Sequence, residues 1–299
     1  MRRYSSFFLS ILILSLAGCG DSENPTIKED PDPVFEGDPA VVADACYPAF
    51  EEDELNVATW NIKFFPQRTT TVEKVSEIIE SLQADIIAVQ EIAEPEEFVD
   101  LGEEIDNWNA VYSDVRYGQE LGFLYKESAF DSFGELTQLF DDDSYAFPRQ
   151  AVMVEATHVS GLDVVLINIH LKCCGEDDSE EQQRRALASA KLQTYINDNL
   201  DDKAVILLGD FNDDITDGLV SPFQNFIDAA DFTFADQAVA NGDISNWSYP
   251  SWPSHLDHIL ISDELFDMVR GTQTLLLESC ISNYSTTVSD HRPVVASFK

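Results

Sequence analysis

The sequence predicts an α/β domain over residues 55–299, on three observations. Short apolar runs rich in Val and Ile recur along this stretch, and amphipathic helical patterns lie between them. Several runs also end on a polar residue that a hydrocarbon strand does not need. At 44% hydrophobic and 11% aromatic residues a sizeable core can form, and wholesale disorder is excluded. Strands are expected at 56–62, 86–90, 122–125, 151–156, 164–170, 205–208, 256–261 and 294–298. Their nearly continuous apolar character fits strands covered on both faces. Between the first two, Val72, Val75, Ile78, Ile79 and Leu82 make one apolar stripe, with Thr70 and Glu73 spaced as a capping box. A second long helix is expected over 180–200, with Ala188, Leu192, Tyr195, Ile196 and Leu200 on one face. No linker interrupts the region and no residue-level repeat shows, so it reads as one domain.

The residues ahead of it read as an address and a tether. Arg2 and Arg3 precede an apolar stretch, Phe7 to Ala17, too short for the ~20 residues that span a bilayer. It ends in Leu16-Ala17-Gly18-Cys19, which resembles a bacterial lipobox. The expectation is a signal peptide over 1–18, cleavage before Cys19 and lipid on its sulfur. The protein would then be anchored at the cell envelope, with Gly20 pointing to the outer membrane. Residues 19–54, with five prolines, many acids and almost no apolar period, cannot offset their ordering entropy and read as a tether. Its segment Cys46-Tyr47-Pro48-Ala49-Phe50 is placed against the domain. After Cys19 the cysteines are Cys46, Cys173, Cys174 and Cys280, an even set that suggests disulfides in an exported chain. One of the adjacent pair is expected to join a distant cysteine.

In α/β folds chemistry collects beyond the strand ends. Here the runs deliver Asn61, then Glu91, then Asn168 and His170, then Asp210 and Asn212. The strand with Asp257 is expected to turn through a hairpin into Ser289-Asp290-His291. Singly, each is more often a turn residue or a solvated charge. Together they assemble carboxylates, amides and two imidazoles, oxygen-rich chemistry suited to a hard cation and a phosphate.

These stretches resemble the endonuclease/exonuclease/phosphatase superfamily, which includes DNase I-like nucleases, abasic-site endonucleases and sphingomyelinases. The matching residues are Thr59-Trp60-Asn61-Ile62, Val89-Gln90-Glu91, Asn168-Ile169-His170, Gly209-Asp210-Phe211-Asn212, Leu256-Asp257-His258-Ile259-Leu260 and Ser289-Asp290-His291, all in family order. The resemblance implies a four-layer α/β sandwich, two packed mixed sheets flanked by helices. It implies Glu91 as principal metal ligand with Asn61 and Asp290 nearby, Mg2+ being the ion expected and Mn2+ or Ca2+ the alternatives. Asp210 and Asn212 would orient the attacking water and the phosphate oxygens, and His291 would be held by Asp257 as a base-and-orienter couple. His170 would either protonate the leaving oxygen or stabilise the transition state. Arg149 matches a phosphate-binding arginine and Tyr117 a groove tyrosine of the DNase I branch.

Departures narrow the branch. Lys63 stands where abasic-site endonucleases have an acid, and Ala93 where DNase I has a groove arginine. The acid that would pair His170 falls near Gln119 or Glu120. Of the other histidines, His158 reads as surface, His255 as close to the site or not, and His258 as packed. Trp247, Tyr249 and Trp252 read as loop packing or as a platform for bases or lipid.

The chain carries 56 acidic against 17 basic residues, a net charge of −39. That excludes tight binding of nucleic acid through a broad basic face, which gains its free energy from counterion release. It leaves metal-assisted hydrolysis standing. The function expected is therefore a metal-dependent nuclease acting as a monomer, with a phospholipid phosphodiesterase or phosphatase as rival and a non-catalytic binding protein behind both. The intact mass of membrane-extracted protein should show a chain starting at an acylated Cys19; an unmodified Cys19 would contradict the anchor.

Overall fold

In the computed structural model the described residues are 46–47, 53–114, 118–173, 178–216 and 221–299. The signal peptide, Cys19 and most of the tether lie outside them, as do Tyr117 and Cys174. Two sheets form the body. The first has six strands in the order β12-β13-β1-β2-β4-β3: β1 (Leu55–Phe65), β2 (Ile86–Ile92), β3 (Trp108–Ser113), β4 (Glu120–Lys126), β12 (Val269–Thr274) and β13 (Val294–Phe298). The second has the order β10-β11-β9-β8-β7-β5, with β6 paired to β7. Its strands are β5 (Phe130–Phe133), β6 (Thr137–Leu139), β7 (Ala151–His158), β8 (Asp163–His170), β9 (Ala204–Asp210), β10 (Phe232–Phe234) and β11 (Asp257–Ser262).

Each sheet holds one parallel pair, β1 with β2 and β8 with β9. A parallel pair needs a crossover, and a helix supplies it in each case: α1 (Thr69–Leu82) and α3 (Asp178–Asn199). Helix α2 (Pro95–Glu104) covers the first sheet beside α1. The period of two along β1 shows how the layers form. Leu55 and Val57 face Leu166, Ile206, Leu208 and Ile259 of the other sheet, while Ala58, Trp60 and Ile62 pack under Val75, Ile78, Ile79 and Leu82 of α1. On the far side Ile167, Ile169, Val205 and Leu207 take Ala188, Leu192 and Ile196 of α3. The result is the four-layer α/β sandwich with two mixed sheets.

Several expectations change in detail. Arg68 rather than Thr70 is the N-cap of α1, so Thr71 rather than Glu73 closes its first turn, its hydroxyl accepting from the Arg68 N–H at 3.2 Å. Strands β3, β5, β6, β10 and β12 were not expected; they are short or lie at sheet edges, where apolar runs need not be continuous. No hairpin links β11 to the Ser289 segment. After β11 the chain crosses to the first sheet, and β12 pairs with β13, leaving 275–293 as the loop between them. The disulfide joins Cys46 to Cys280, with Cα atoms 6.4 Å apart, so the two distant cysteines pair with each other rather than with Cys173 or Cys174. Cys46 and Tyr47 pack on the first sheet's outer core, as expected of that segment. His158 is buried rather than surface, its ring packed on Phe130 and bonded to Ser160. Among the described residues no helix is long and apolar enough to cross a membrane.

Gly209 is required where β8 and β9 run side by side. It has φ of +146°, and a Cβ there would lie 2.0 Å from the Ile169 carbonyl oxygen, its register partner. Gly209→Ala should cost about 3 kcal/mol or more in urea unfolding; a loss under about 1 kcal/mol would contradict this packing.

Candidate active site

The C-terminal ends of both parallel pairs meet at one edge of the sandwich. In the second sheet His170 ends β8, Asp210 ends β9 and Asp257 opens β11, and the three are register partners across adjacent strands. From the first sheet come Asn61, on β1, and Glu91, near the end of β2, while the loop before β13 brings Asp290 and His291. Strand pairing fixes Asn61, His170, Asp210 and Asp257, while Asp290 and His291 come from the loop.

Asn61 joins the two sheets. Its Nδ2 donates to Glu91 Oε1 at 3.1 Å and to Asp210 Oδ2 at 3.0 Å, and its Oδ1 accepts from the Lys63 N–H at 2.9 Å. His170 Nε2 lies 3.5 Å from Asp210 Oδ2 and 3.9 Å from Glu91 Oε1. His291 Nδ1 binds Asp257 Oδ2 at 2.8 Å, and its Nε2 lies 4.0 Å from Asp210 Oδ2. Asn212 donates its N–H to Asp210 Oδ1 and its amide to the Leu171 carbonyl. Asp290 is engaged by the Lys63 ammonium at 2.5 Å. Arg149 is held by Gln119 and the Leu171 carbonyl, its guanidinium in the field of Glu91 and Asp210. Backbone strain gathers here: Lys63, Phe64, Glu91 and Asn212 all have positive φ, between 43° and 63°.

Burial shifts these groups. Loss of water around Asp210, then the charge of Asp257, raise it to about 7 against the pull of His291 and Asn61. Burial alone would lower His291, but the Asp257 charge and hydrogen bond, then Asp210 and Asp290, carry it to about 10. His170 is held well below its usual value by burial, then by Arg149 and His291, and its Nδ1 has no hydrogen-bond partner among the described residues.

Asn61, Glu91, His170, Asp210, Asn212, Asp257 and His291 therefore come together, with Asp290 and Arg149 at the rim. Asn168 does not: it is buried between the sheets, tied to Gln90 and to the Val89 and Gly122 carbonyls. His255 is also turned away, toward Asp236. The sequence did not single out the supports of the site. Ser289 donates to the Asn61 carbonyl and takes the His291 N–H, Tyr284 donates to the His291 carbonyl, and Ser248 takes the Asp257 N–H. Lys63 and Gln119, noted only as departures, contact Asp290 and Arg149. Tyr249 lies with its ring 4.9 Å from that of His291, and Trp252, three residues on, is 78% exposed.

Glu91 and Asp290 offer carboxylate oxygens, ligands suited to a hard divalent cation, whereas Asn61 turns its Nδ2 to Glu91 and Asp210 and its Oδ1 to the Lys63 N–H. Fold and site define a phosphoester hydrolase. The model of the Endonuclease/Exonuclease/phosphatase family matches residues 58–291, and the chain belongs to that family, whose enzymes are typically dependent on a divalent metal. No curated protein matches the sequence. Among solved structures it is similar to D. rerio TDP2 complexed with single strand DNA product (15% identity, 82% of this chain and 99% of that one, TM-score 0.66). It is also similar to the Neisseria 3′ phosphatase NExo bound to product DNA hairpin (19%, 82% and 99%, 0.61). A third is the mannosyl-6-phosphatase of Bacteroides thetaiotaomicron (17%, 81% and 98%, 0.59). These likenesses show the fold. His291→Ala and Asp210→Ala should each lower turnover on a phosphodiester by several orders of magnitude with unchanged circular dichroism; an unaltered rate in either would dismantle the site.

Proposed function

We propose that the protein is a metal-dependent nuclease that hydrolyses DNA or RNA by in-line attack of water, anchored at the cell envelope through Cys19. The observation that carries it is the facing of two polar sets across the sandwich, the His170–Asp210–Asp257 row against Asn61 and Glu91. Bound at Glu91, with Asn61 and Asp290 beside it, a divalent cation such as Mg2+ supplies charge neutralisation on the phosphate. Asp210, with its proton affinity tuned to near neutrality, takes a proton from the attacking water, and Asn212 beside it orients a phosphate oxygen. His291, held by Asp257, presents Nε2–H as a cationic donor to the phosphate. His170 supplies a hydrogen bond as the charge develops.

Arg149 supports a phosphate-bearing substrate, because its half-buried guanidinium is held at the site by Gln119 and the Leu171 carbonyl. The exposed Trp252, three residues after the Tyr249 ring that lies 4.9 Å from that of His291, suits a stacked base. Among relatives, TDP2 and NExo were solved with DNA products, whereas the mannosyl-6-phosphatase points to a second reading, hydrolysis of a sugar phosphate monoester.

One panel tests this: duplex DNA, single-stranded DNA, RNA, sphingomyelin and mannose 6-phosphate, each with Mg2+, Mn2+, Ca2+ and chelator. Cleavage of a nucleic acid that chelator abolishes is expected; activity on lipid or sugar phosphate alone would overturn the nuclease reading.

A further inference from the structure

A second polar cluster lies behind the catalytic row. Asp236 follows β10 (Phe232–Phe234), and His258 follows Asp257 on β11 but points to the opposite face. Asp236, His255 and His258 are each exposed by 1% or less. Asp236 Oδ1 accepts the Ile259 N–H at 2.9 Å. Its Oδ2 meets His255 Nε2 at 3.0 Å and His258 Nδ1 at 2.6 Å. The other nitrogen of His258, Nε2, lies 3.1 Å from the Asp213 carbonyl oxygen. His255 Nδ1 receives the Ser248 N–H at 3.3 Å.

Donor and acceptor rules fix the protons. His255 accepts at Nδ1, so its one proton sits on Nε2 and goes to Asp236; the ring is neutral. His258 faces an oxygen at each nitrogen. The Asp213 carbonyl can only accept, so Nε2 carries a proton. Asp236 already takes hydrogen bonds from Ile259 and His255, which hold it as the carboxylate, so Nδ1 must carry a proton too. A neutral His258 would set a buried lone pair against an oxygen lone pair.

These residue types also hold zinc, but the spacing does not suit it. Ligands bonded to Zn2+ at about 2.0–2.1 Å in a tetrahedron lie about 3.3 Å apart, whereas Asp236 Oδ2 and His258 Nδ1 are 2.6 Å apart, room for a proton alone.

We infer that His258 is a resident imidazolium, clasped between the Asp236 carboxylate and the Asp213 carbonyl, that positions the loop which leaves Asp210 and carries Asn212. Two cations hold this loop from opposite sides. Arg185 of α3 grips the Asp213 carboxylate, Nε at 2.9 Å and a terminal nitrogen at 2.8 Å, and His258 grips the carbonyl of the same residue. The His255 N–H adds a bond to Asp214 Oδ1 at 2.6 Å. Phe211 and Phe234 pack edge-on against His258 and close it off from water. The charge state stands on geometry alone; the catalytic consequence rests on the function proposed above.

The test begins with 15N spectra of the histidine side chains in His291→Ala protein at neutral pH, which removes the other charged ring. One remaining histidine with both ring nitrogens protonated is expected, its signals lost on adding His258→Gln. Finding only singly protonated rings, or stoichiometric zinc that is lost on adding His258→Gln, would overturn the assignment without reference to any substrate. In otherwise native protein, Asp236→Asn should lower kcat on bis-p-nitrophenyl phosphate at least tenfold with KM within about twofold. His258→Gln, which keeps a donor toward the Asp213 carbonyl, should recover part of that loss and is the measurement to rely on if Asp236→Asn does not fold. Native kcat in folded His258→Gln would refute the positioning role. Absence of phosphodiesterase activity in the unsubstituted protein would instead count against the proposed function and leave the imidazolium in place.

Discussion

Two carboxylates, Asp210 and Asp257, lie side by side on neighbouring strands with almost no access to water, and the surrounding polar structure answers to that. Buried anions repel each other and lose their hydration, so each must find a donor or take up a proton. Asp257 has His291 on one oxygen, and its N–H is fixed by Ser248. Asp210 has the Asn61 amide on one oxygen and the Asn212 N–H on the other. Tyr284 and Ser289 fix the backbone of His291, and Trp60 of β1 donates to the Tyr284 hydroxyl at 3.0 Å. A chain of contacts thus runs from the α1-covered face of the first sheet to the second sheet's acids.

That chain explains why the site needs both sheets. Neither parallel pair alone brings a donor between Glu91 and Asp210; Asn61 does so only because the sandwich stacks β1 over β9. The Gln90–Asn168–Thr59 bonds lie just behind it, between the sheets, and lock their relative placement with buried amides whose good geometry leaves little freedom to slide. The Cys46–Cys280 bond adds a covalent tie from the chain ahead of β1 to the loop that carries Asp290 and His291.

Much of this was legible in the sequence, and the legible part has a common cause. Central strands are buried on both faces, so β1, β2, β8 and β9 show as apolar runs, and a polar residue at the end of such a run stands out: Asn61, Glu91, His170 and Asp210 were found that way. Edge strands such as β3 and β12 have one face in water and lack that contrast. Supports of the site were missed for a different reason. Ser248, Tyr284 and Asp236 act through contacts 7 to 224 residues distant in sequence, and Ser, Tyr and Asp at such positions look like any loop residue. Asn168 failed in the opposite sense. It sits two residues before His170 on one strand and so shares its face, but lies deeper between the sheets, where it meets Gln90 rather than the site. His158, read as a surface residue, instead ends β7 and is buried against an aromatic cluster.

The net charge of −39 bears on how such a site meets a polyanion. With no broad basic face to concentrate substrate, approach depends on neutralisation at the site itself, by a divalent cation and by the few cations built into its walls. Among the described residues Arg149 and Lys63 stand at the rim, and each is already engaged, Arg149 by Gln119 and Lys63 by Asp290. Under the function proposed above, binding a phosphate at these cations means exchanging their internal partners. An enzyme arranged this way gains its rate from interactions made within the site rather than from long-range capture, and its surface acidity becomes compatible with hydrolysing nucleic acid.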